Sequence, residues 1–192
     1  MSKQVKKVQT TLYLKPSLKQ LELEDSLKAL LAIQASGIDV KQASTKYEHF
    51  AENVILDLPE NNLVIFETSA IVKYLLKDKI NGLDAKDLAA VNSWVEYDKF
   101  ILSKILSKDS TENPDAALEK IENALKSNNK QLGKVSSEIS DIAVFSSLFV
   151  GLSYKKYDIS KYPSINEWLN NKLQNQADIY SSATKKWGRV CI

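Results

Sequence analysis

Glu67, Thr68 and Ser69 stand between a short apolar run, Leu63-Val64-Ile65-Phe66, and the amphipathic stretch Ala70-Ile71-Val72-Lys73-Tyr74-Leu75-Leu76. The spacing predicts a strand that turns directly into a helix through an acidic-hydroxyl pair. Side-chain oxygens at such a junction satisfy the orphan N–H groups of the first helical turn, so the pair reads as a helix cap. The same exposed N–H groups also make a helix start a receptive place for an anion. Other reactive side chains are sparse. Cys191 is the single cysteine and His49 the single histidine. An internal disulfide is therefore impossible, and a thiol-rich zinc site, a Cys-His pair or a Ser-His-Asp triad lacks the partners it needs. No metal or other cofactor is expected.

Composition narrows the classes further. The chain has 192 residues, enough to bury a substantial core, with apolar and charged fractions typical of a globular protein. No apolar run is long enough to span a bilayer, and Met1-Ser2-Lys3-Gln4-Val5-Lys6-Lys7 lacks a secretory hydrophobic segment. A cytoplasmic location without membrane association is the expectation. The net charge is only +2, and the positive charge is almost wholly lysine, with Arg189 the sole arginine. Hydrated lysine heads mark solvated faces more than phosphate or base recognition, which makes direct tRNA binding a minor reading. It would fall to Lys3, Lys6 and Lys7 or to Lys185, Lys186 and Arg189.

These residues must be positioned by two kinds of segment. Thr10 to Leu14 reads as a strand ending before Pro16. Leu23, Leu27, Leu30 and Leu31 follow at helical spacing, and Gly37 supplies a C-cap. Ile38-Asp39-Val40 alternates as a second strand. Val54-Ile55-Leu56 and Leu63 to Phe66 flank Pro59-Glu60-Asn61-Asn62 as a hairpin, and a helix runs from Glu67 to about Lys77. This is the β-α-β, β-β-α order of a thioredoxin-like module, residues 1–78. After a linker at 79–85, every segment of 86–192 has helical period. Val91, Trp94, Val95, Ile101, Leu102 and Ile105 stripe one long helix. Asn113-Pro114 opens another, carrying Leu118, Ile121 and Leu125. Ile139 to Leu152 is apolar nearly all round and reads as the buried centre of a bundle. Pro163 opens a helix with Ile165, Trp168, Leu169 and Leu173. Ala177, Tyr180, Ala183 and Trp187 stripe a last one.

An N-terminal thioredoxin-like module followed by an all-α helical bundle, an α+β class, resembles the glutathione-transferase fold over nearly the whole chain. Four segments carry the resemblance: the Glu67-Thr68-Ser69-Ala70-Ile71 junction; Val91-Asn92-Ser93-Trp94-Val95-Glu96-Tyr97; Ser137-Glu138-Ile139-Ser140-Asp141; and Tyr162-Pro163-Ser164-Ile165-Asn166-Glu167-Trp168. The resemblance implies that Glu67 and Thr68 correspond to the residues that hold the γ-glutamyl end of glutathione. It implies that Asp141 is a structural cap of the buried helix, with Ser137 capping one residue early. It also places a cis-proline just before the second half of the sheet, which by counting back from Glu67 falls near Leu56, where there is none. The catalytic hydroxyl of the family would be Tyr13 or Ser17. Tyr13 lies at a strand position where aromatic residues pack, and Ser17 follows a proline as turn residues do.

A transferase-like chain without that equipment resembles the domains appended to eukaryotic cytosolic methionyl- and glutamyl-tRNA synthetases and their scaffold relatives. Thr68-Ser69-Ala70-Ile71 is similar to the first and Thr184-Lys185-Lys186-Trp187 to the second. The resemblance implies a non-catalytic protein-protein interaction domain of protein biosynthesis. It would dock a synthetase or associated factor into a multi-synthetase, tRNA-binding complex by pairing with another transferase-like domain, and would meet tRNA only indirectly. A homodimer is the other arrangement. The implied interface residues are Ile38, Val40 and Phe50 on one surface and Ser164, Glu167 and Trp168 on the other, where Glu167 replaces a stacking arginine. The alternatives are a divergent glutathione transferase, or a domain like that of the elongation factor one gamma-subunit.

Overall fold

The computed structural model describes residues 9–15, 19–44, 52–129, 131–132, 138–155 and 157–175. Strand β1 (Thr11–Leu14) alternates, sending Leu12 and Leu14 into the core. Helix α1 (Gln20–Ser36) ends at Gly37, whose φ of +66° lets its N–H reach back to the carbonyls of Ile33 and Gln34. A residue with a side chain would be strained there.

Strand β2 is Lys41–Ser44, not Ile38 to Val40. It runs parallel to β1, entering where Lys41 N–H donates to Thr10 O at 3.0 Å. The three residues after the left-handed cap are spent returning the chain to the sheet edge, and apolar alternation alone does not reveal that. Strand β3 (Val54–Leu58) and strand β4 (Leu63–Ile65) form the expected hairpin around a 3₁₀ turn at Pro59–Asn61, closed by Asn62 at φ 48°. The sheet order is β2-β1-β3-β4.

Helix α2 (Thr68–Leu75) follows, then the single turn α3 (Lys77–Ile80). Helix α4 (Ala85–Tyr97) is capped by Asp84, which accepts from Asp87 N–H at 2.8 Å. It does not continue regularly: a π-helical turn at Asp98–Leu102 leads into the short α5 (Ser103–Ile105). The wider turn keeps Leu102 fully buried but leaves Ile101, expected on the inner stripe, 43% exposed beside Phe100. Helix α6 (Asp115–Ser127) starts where Asn113 Oδ1 accepts from Asp115 N–H. Its Asp115 gathers the Lys161 ammonium and the Tyr157 and Tyr162 hydroxyls, which hold the carboxyl far below its usual range. The segment leading to α8 (Pro163–Asn175) is thereby tied to α6. Glu122 of α6 then caps α8 from outside, accepting from Ser164 N–H at 3.1 Å and Ile165 N–H at 2.9 Å.

Helix α7 (Glu138–Lys155) is the centre. Ile139, Val144, Phe145, Leu148 and Val150 are buried, and one apolar core runs from Leu12 and Leu56 in the sheet through α1 and α7 to Ile165 and Trp168 of α8. Small residues let neighbours close in: a Cβ on Gly151 would lie 2.6 Å from Leu106 Cβ, and Leu106 is fully buried. Alanine for glycine in a helix ordinarily gains about 1 kcal/mol, whereas overpacking a core costs about 1–3 kcal/mol. With no space for Leu106 to retreat, overpacking wins. Gly151→Ala is therefore expected to lower stability by about 1 kcal/mol in urea unfolding.

Candidate functional site

The strand-to-helix junction behaves as a cap with further attachments. Glu67 is the N-cap of α2: its Oε2 accepts from Ala70 N–H at 2.9 Å and from Ser69 Oγ at 2.5 Å. Its Oε1 meets Lys99 Nζ at 2.9 Å, across from the π turn. Partial burial works against the charge, but the hydrogen bonds from Ser69, Lys99 and Ala70 hold the carboxyl below its ordinary value. Thr68 lies beside it as the first residue of α2. Together they border a small cleft of about 50 Å³ whose inner wall is Asp25, Lys28 and Asp98.

That inner wall is the part sequence reasoning missed. Lys28 Nζ pairs with Asp98 Oδ2 at 2.6 Å in the interior. Burial opposes the lysine's charge, but Asp98 and Glu24 more than offset it and raise its pKa. Glu24 is buried alongside, its carboxyl pushed up to about 7 by burial against the pull of Lys28, Ser103 and Gln20. Two spacings could have found the group. Glu24 and Lys28 are an i,i+4 pair flanked by Leu23 and Leu27, and Asp98 continues the inward series Val91, Val95, Leu102.

A second, larger cavity of about 520 Å³ opens at the first turn of α1. Gln20, Glu22 and Asn53 line one side; Ser107, Lys108 and Tyr154, from the helical half, line the other. Burial raises the Tyr154 hydroxyl's pKa. Asn53 Nδ2 donates to Asp25 Oδ2 at 2.7 Å, so one hydrogen bond joins the wall of the small cleft to the wall of the large one. Asn53 is also the residue just before the second half of the sheet. The count that put this place near Leu56 lands inside β3, where Leu56 pairs with Leu12 and Ile65. Asn53 is likewise not proline, and its carbonyl accepts from Lys15 N–H at 3.1 Å.

The remaining expected residues scatter. Tyr13 sits in mid-β1 opposite Ala43 and Ile55, half-buried; Ser17 lies outside the described residues, as do Phe50, His49 and Cys191. Ile38 is exposed and Val40 half-buried. Glu167 is exposed, Ser164 is partly covered, and Trp168 is only 3% exposed, its ring edge-on to Phe145 in the core. Asp141, in the first turn of α7, is buried. It holds Lys172 of α8 at 2.7 Å and accepts from Leu132 N–H at 3.5 Å, which links two helices and the preceding loop. Ser137 lies outside the described residues. Among the described residues no cluster could hold a metal ion, and no helix is long and apolar enough to cross a membrane.

The buried lysine generates a direct test. Removing one partner from an interior ion pair costs about 3–5 kcal/mol, because the other charge is stranded. Lys28→Met is expected to lose about 3 kcal/mol at pH 7.5 in urea unfolding, and less at pH 5.5, where protons neutralise the stranded carboxylates.

No protein-family model matches the chain, and no curated protein sequence does. Solved structures do. A diazinon-metabolizing glutathione S-transferase of the silkworm Bombyx mori aligns over 96% of this chain and 100% of its own, at 18% identity and a TM-score of 0.75. The glutathione transferase URE2P6 of Phanerochaete chrysosporium, in complex with oxidized glutathione, aligns over 93% and 97%, at 12% identity and a TM-score of 0.72. A delta-class glutathione transferase of Nilaparvata lugens covers 93% and 95%, at 22% identity and 0.69. With the mixed four-stranded sheet in front and the helical region behind, the chain has a glutathione-transferase-like fold.

Proposed function

We propose that this chain is a divergent glutathione transferase that binds a thiol peptide of the glutathione type between the Glu67 cleft and the neighbouring cavity at the start of α1. The observation that carries the reading is the placement of Glu67 and Thr68 at the start of α2 beside one cleft, with the Asp25–Asn53 hydrogen bond tying its wall to the wall of the neighbouring cavity at the start of α1. The Glu67 carboxylate would take the ligand's ammonium group, and the first-turn N–H groups of α2 its carboxylate. The thiol end would then lie at the first turn of α1, a 17-residue helix whose positive end favours a thiolate. Tyr13 or Ser17 would activate it. The overall likeness to glutathione transferases supports the assignment.

Lys99 is the competitor within this scheme, because its ammonium already occupies Glu67 Oε1. Titration calorimetry with glutathione is expected to give binding in the millimolar range or tighter. Glu67→Gln should weaken it about tenfold, the weight of one charge-assisted hydrogen bond, and Lys99→Ala should strengthen it. No heat at millimolar glutathione, in either the native chain or Lys99→Ala, would remove the reading.

A second reading is favoured by a different observation. Among the described residues, five of the seven exposed large apolar ones, Leu63, Val64, Phe66, Phe100 and Ile101, lie on β4, the junction after it and the π turn, which the Lys99–Glu67 pair draws together. Such a patch suits a docking domain of a synthetase complex that binds another transferase-like domain. A pull-down from the cell of origin is then expected to retain a synthetase or a tRNA-binding scaffold. The double substitution Phe66→Ser, Phe100→Ser should release it, and retention by the double variant would exclude this face.

A further inference from the structure

Glu24, Lys28 and Asp98 are 1%, 9% and 2% exposed, and they join α1 to the π turn across the two halves of the chain. Glu24 Oε1 accepts from Gln20 Nε2 at 2.9 Å; Oε2 accepts from Ser103 Oγ at 2.5 Å and Ser147 Oγ at 3.3 Å. Gln20 is itself fixed by the Leu106 carbonyl and Lys108 N–H. The charged groups facing Glu24 are Lys28 from α1 and Asp98 from the π turn, and Asp25 of α1 in turn faces Lys28 and Asp98. Helices α5 and α7 contribute only the hydroxyls of Ser103 and Ser147.

One ammonium cannot balance two buried carboxylates. Excess charge in a poorly polarisable interior is costly, and the cheapest settlement is a bound proton. Geometry decides which carboxylate holds it. Lys28 is committed to Asp98 at 2.6 Å, whereas both hydroxyls on Glu24 can turn round and accept, so a protonated Glu24 keeps its bonds. Burial raises both carboxyls, Glu24 to about 7, so the choice between them rests on the geometry of Lys28.

We propose that Glu24, Lys28 and Asp98 form a proton switch that sets how firmly the π turn is held on α1 and, through the adjacent Lys99, how firmly Glu67 is occupied. With the proton on Glu24, Lys28 belongs to Asp98 alone and Lys99 is stationed on Glu67. When the proton leaves to solvent, Lys28 is divided between Asp98 and the carboxylate one turn back on its own helix. The π turn loosens and Lys99 releases Glu67. The consequence for ligand binding rests on the reading of Glu67 as a ligand carboxylate; the switch itself does not.

The test uses the full chain without ligand. In the ¹³C-labelled protein, the Glu24 carboxyl is expected to titrate with a midpoint of about 7. A midpoint at the ordinary glutamate value of 4.5 overturns the proposal. Hydrogen exchange of the amides of residues 98–102, corrected for intrinsic rates, should accelerate about tenfold between pH 6 and pH 8, as one pH unit of linkage permits, and should not do so in Glu24→Gln. Equal acceleration in both overturns it too. The sign in stability is fixed. A carboxyl raised in the folded state adds stability that is present below about 4.5 and lost as pH rises through about 7. Relative to Glu24→Gln, the native chain's unfolding constant should therefore grow with pH over that window. If the variant does not fold, the carbon titration of the native chain decides alone. Absence of glutathione binding is read by calorimetry, and loss of the switch by the carbon midpoint, so the two failures are distinct.

Discussion

Two helices from opposite halves of the chain, α1 and α7, carry apolar side chains on more than one face, and both are buried along most of their length. They solve this by packing on each other, with the sheet and α2 behind α1 and with α4 beside α7. Everything polar on their shared surfaces must then be satisfied inside the protein. Ser146 does so locally, donating to the carbonyl of Ile142 one turn back. Glu24 does so only in part, through Gln20 one turn back, and with Lys28 it draws its other partners from the π turn, α5 and α7. The π turn is where α4 gives up regular hydrogen bonding, and it is also where Asp98 meets Lys28. The polar cluster is thus a consequence of burying α1, and the shape of the candidate site is a consequence of the cluster.

Glu67 shows how one residue serves two levels of organisation. As a cap it completes the backbone hydrogen bonding of α2, a local role that any acidic residue at that place would fill. As the partner of Lys99 it is a tie between the sheet-bearing half and the helical half. Both partners are nearly half exposed, so the tie is weak and solvent can exchange for it. The cap therefore fixes the carboxylate in place, while its second oxygen is held only by the exposed Lys99.

What could be read from the sequence follows the range of the forces involved. The hairpin at Pro59 to Asn62, the Gly37 cap, the Asn113 start of α6 and the Pro163 start of α8 are set by backbone preferences of a few adjacent residues, and each is found where its signal stands. Strand β2 lies three residues beyond the Ile38 to Val40 alternation because its position depends on where β1 lies, not on its own pattern. Ile101 was assigned inward because a stripe assumes an unbroken period, which the π turn interrupts. For the candidate site, Glu67 and Thr68 were legible, but the wall behind them was not. The spacings of Glu24, Lys28 and Asp98 place each on an inward face, but that they meet one another depends on how α1 packs against the π turn. Trp168 carried a further lesson: a tryptophan at a helix start can be an interface anchor or a core residue with the same spacing, and here Phe145 claims it.

Strand β4 is only three residues long and forms one edge of the sheet. An open edge usually invites other chains to add strands, and exposed Leu63 and Val64 increase that hazard. The brevity of the strand counters it. The 3₁₀ turn with left-handed Asn62 bends the backbone away at one end, and the start of α2 does so at the other. A would-be templating strand therefore finds too few aligned N–H and C=O groups to propagate, so the protein can display apolar side chains at its sheet edge without becoming a seed for fibrils.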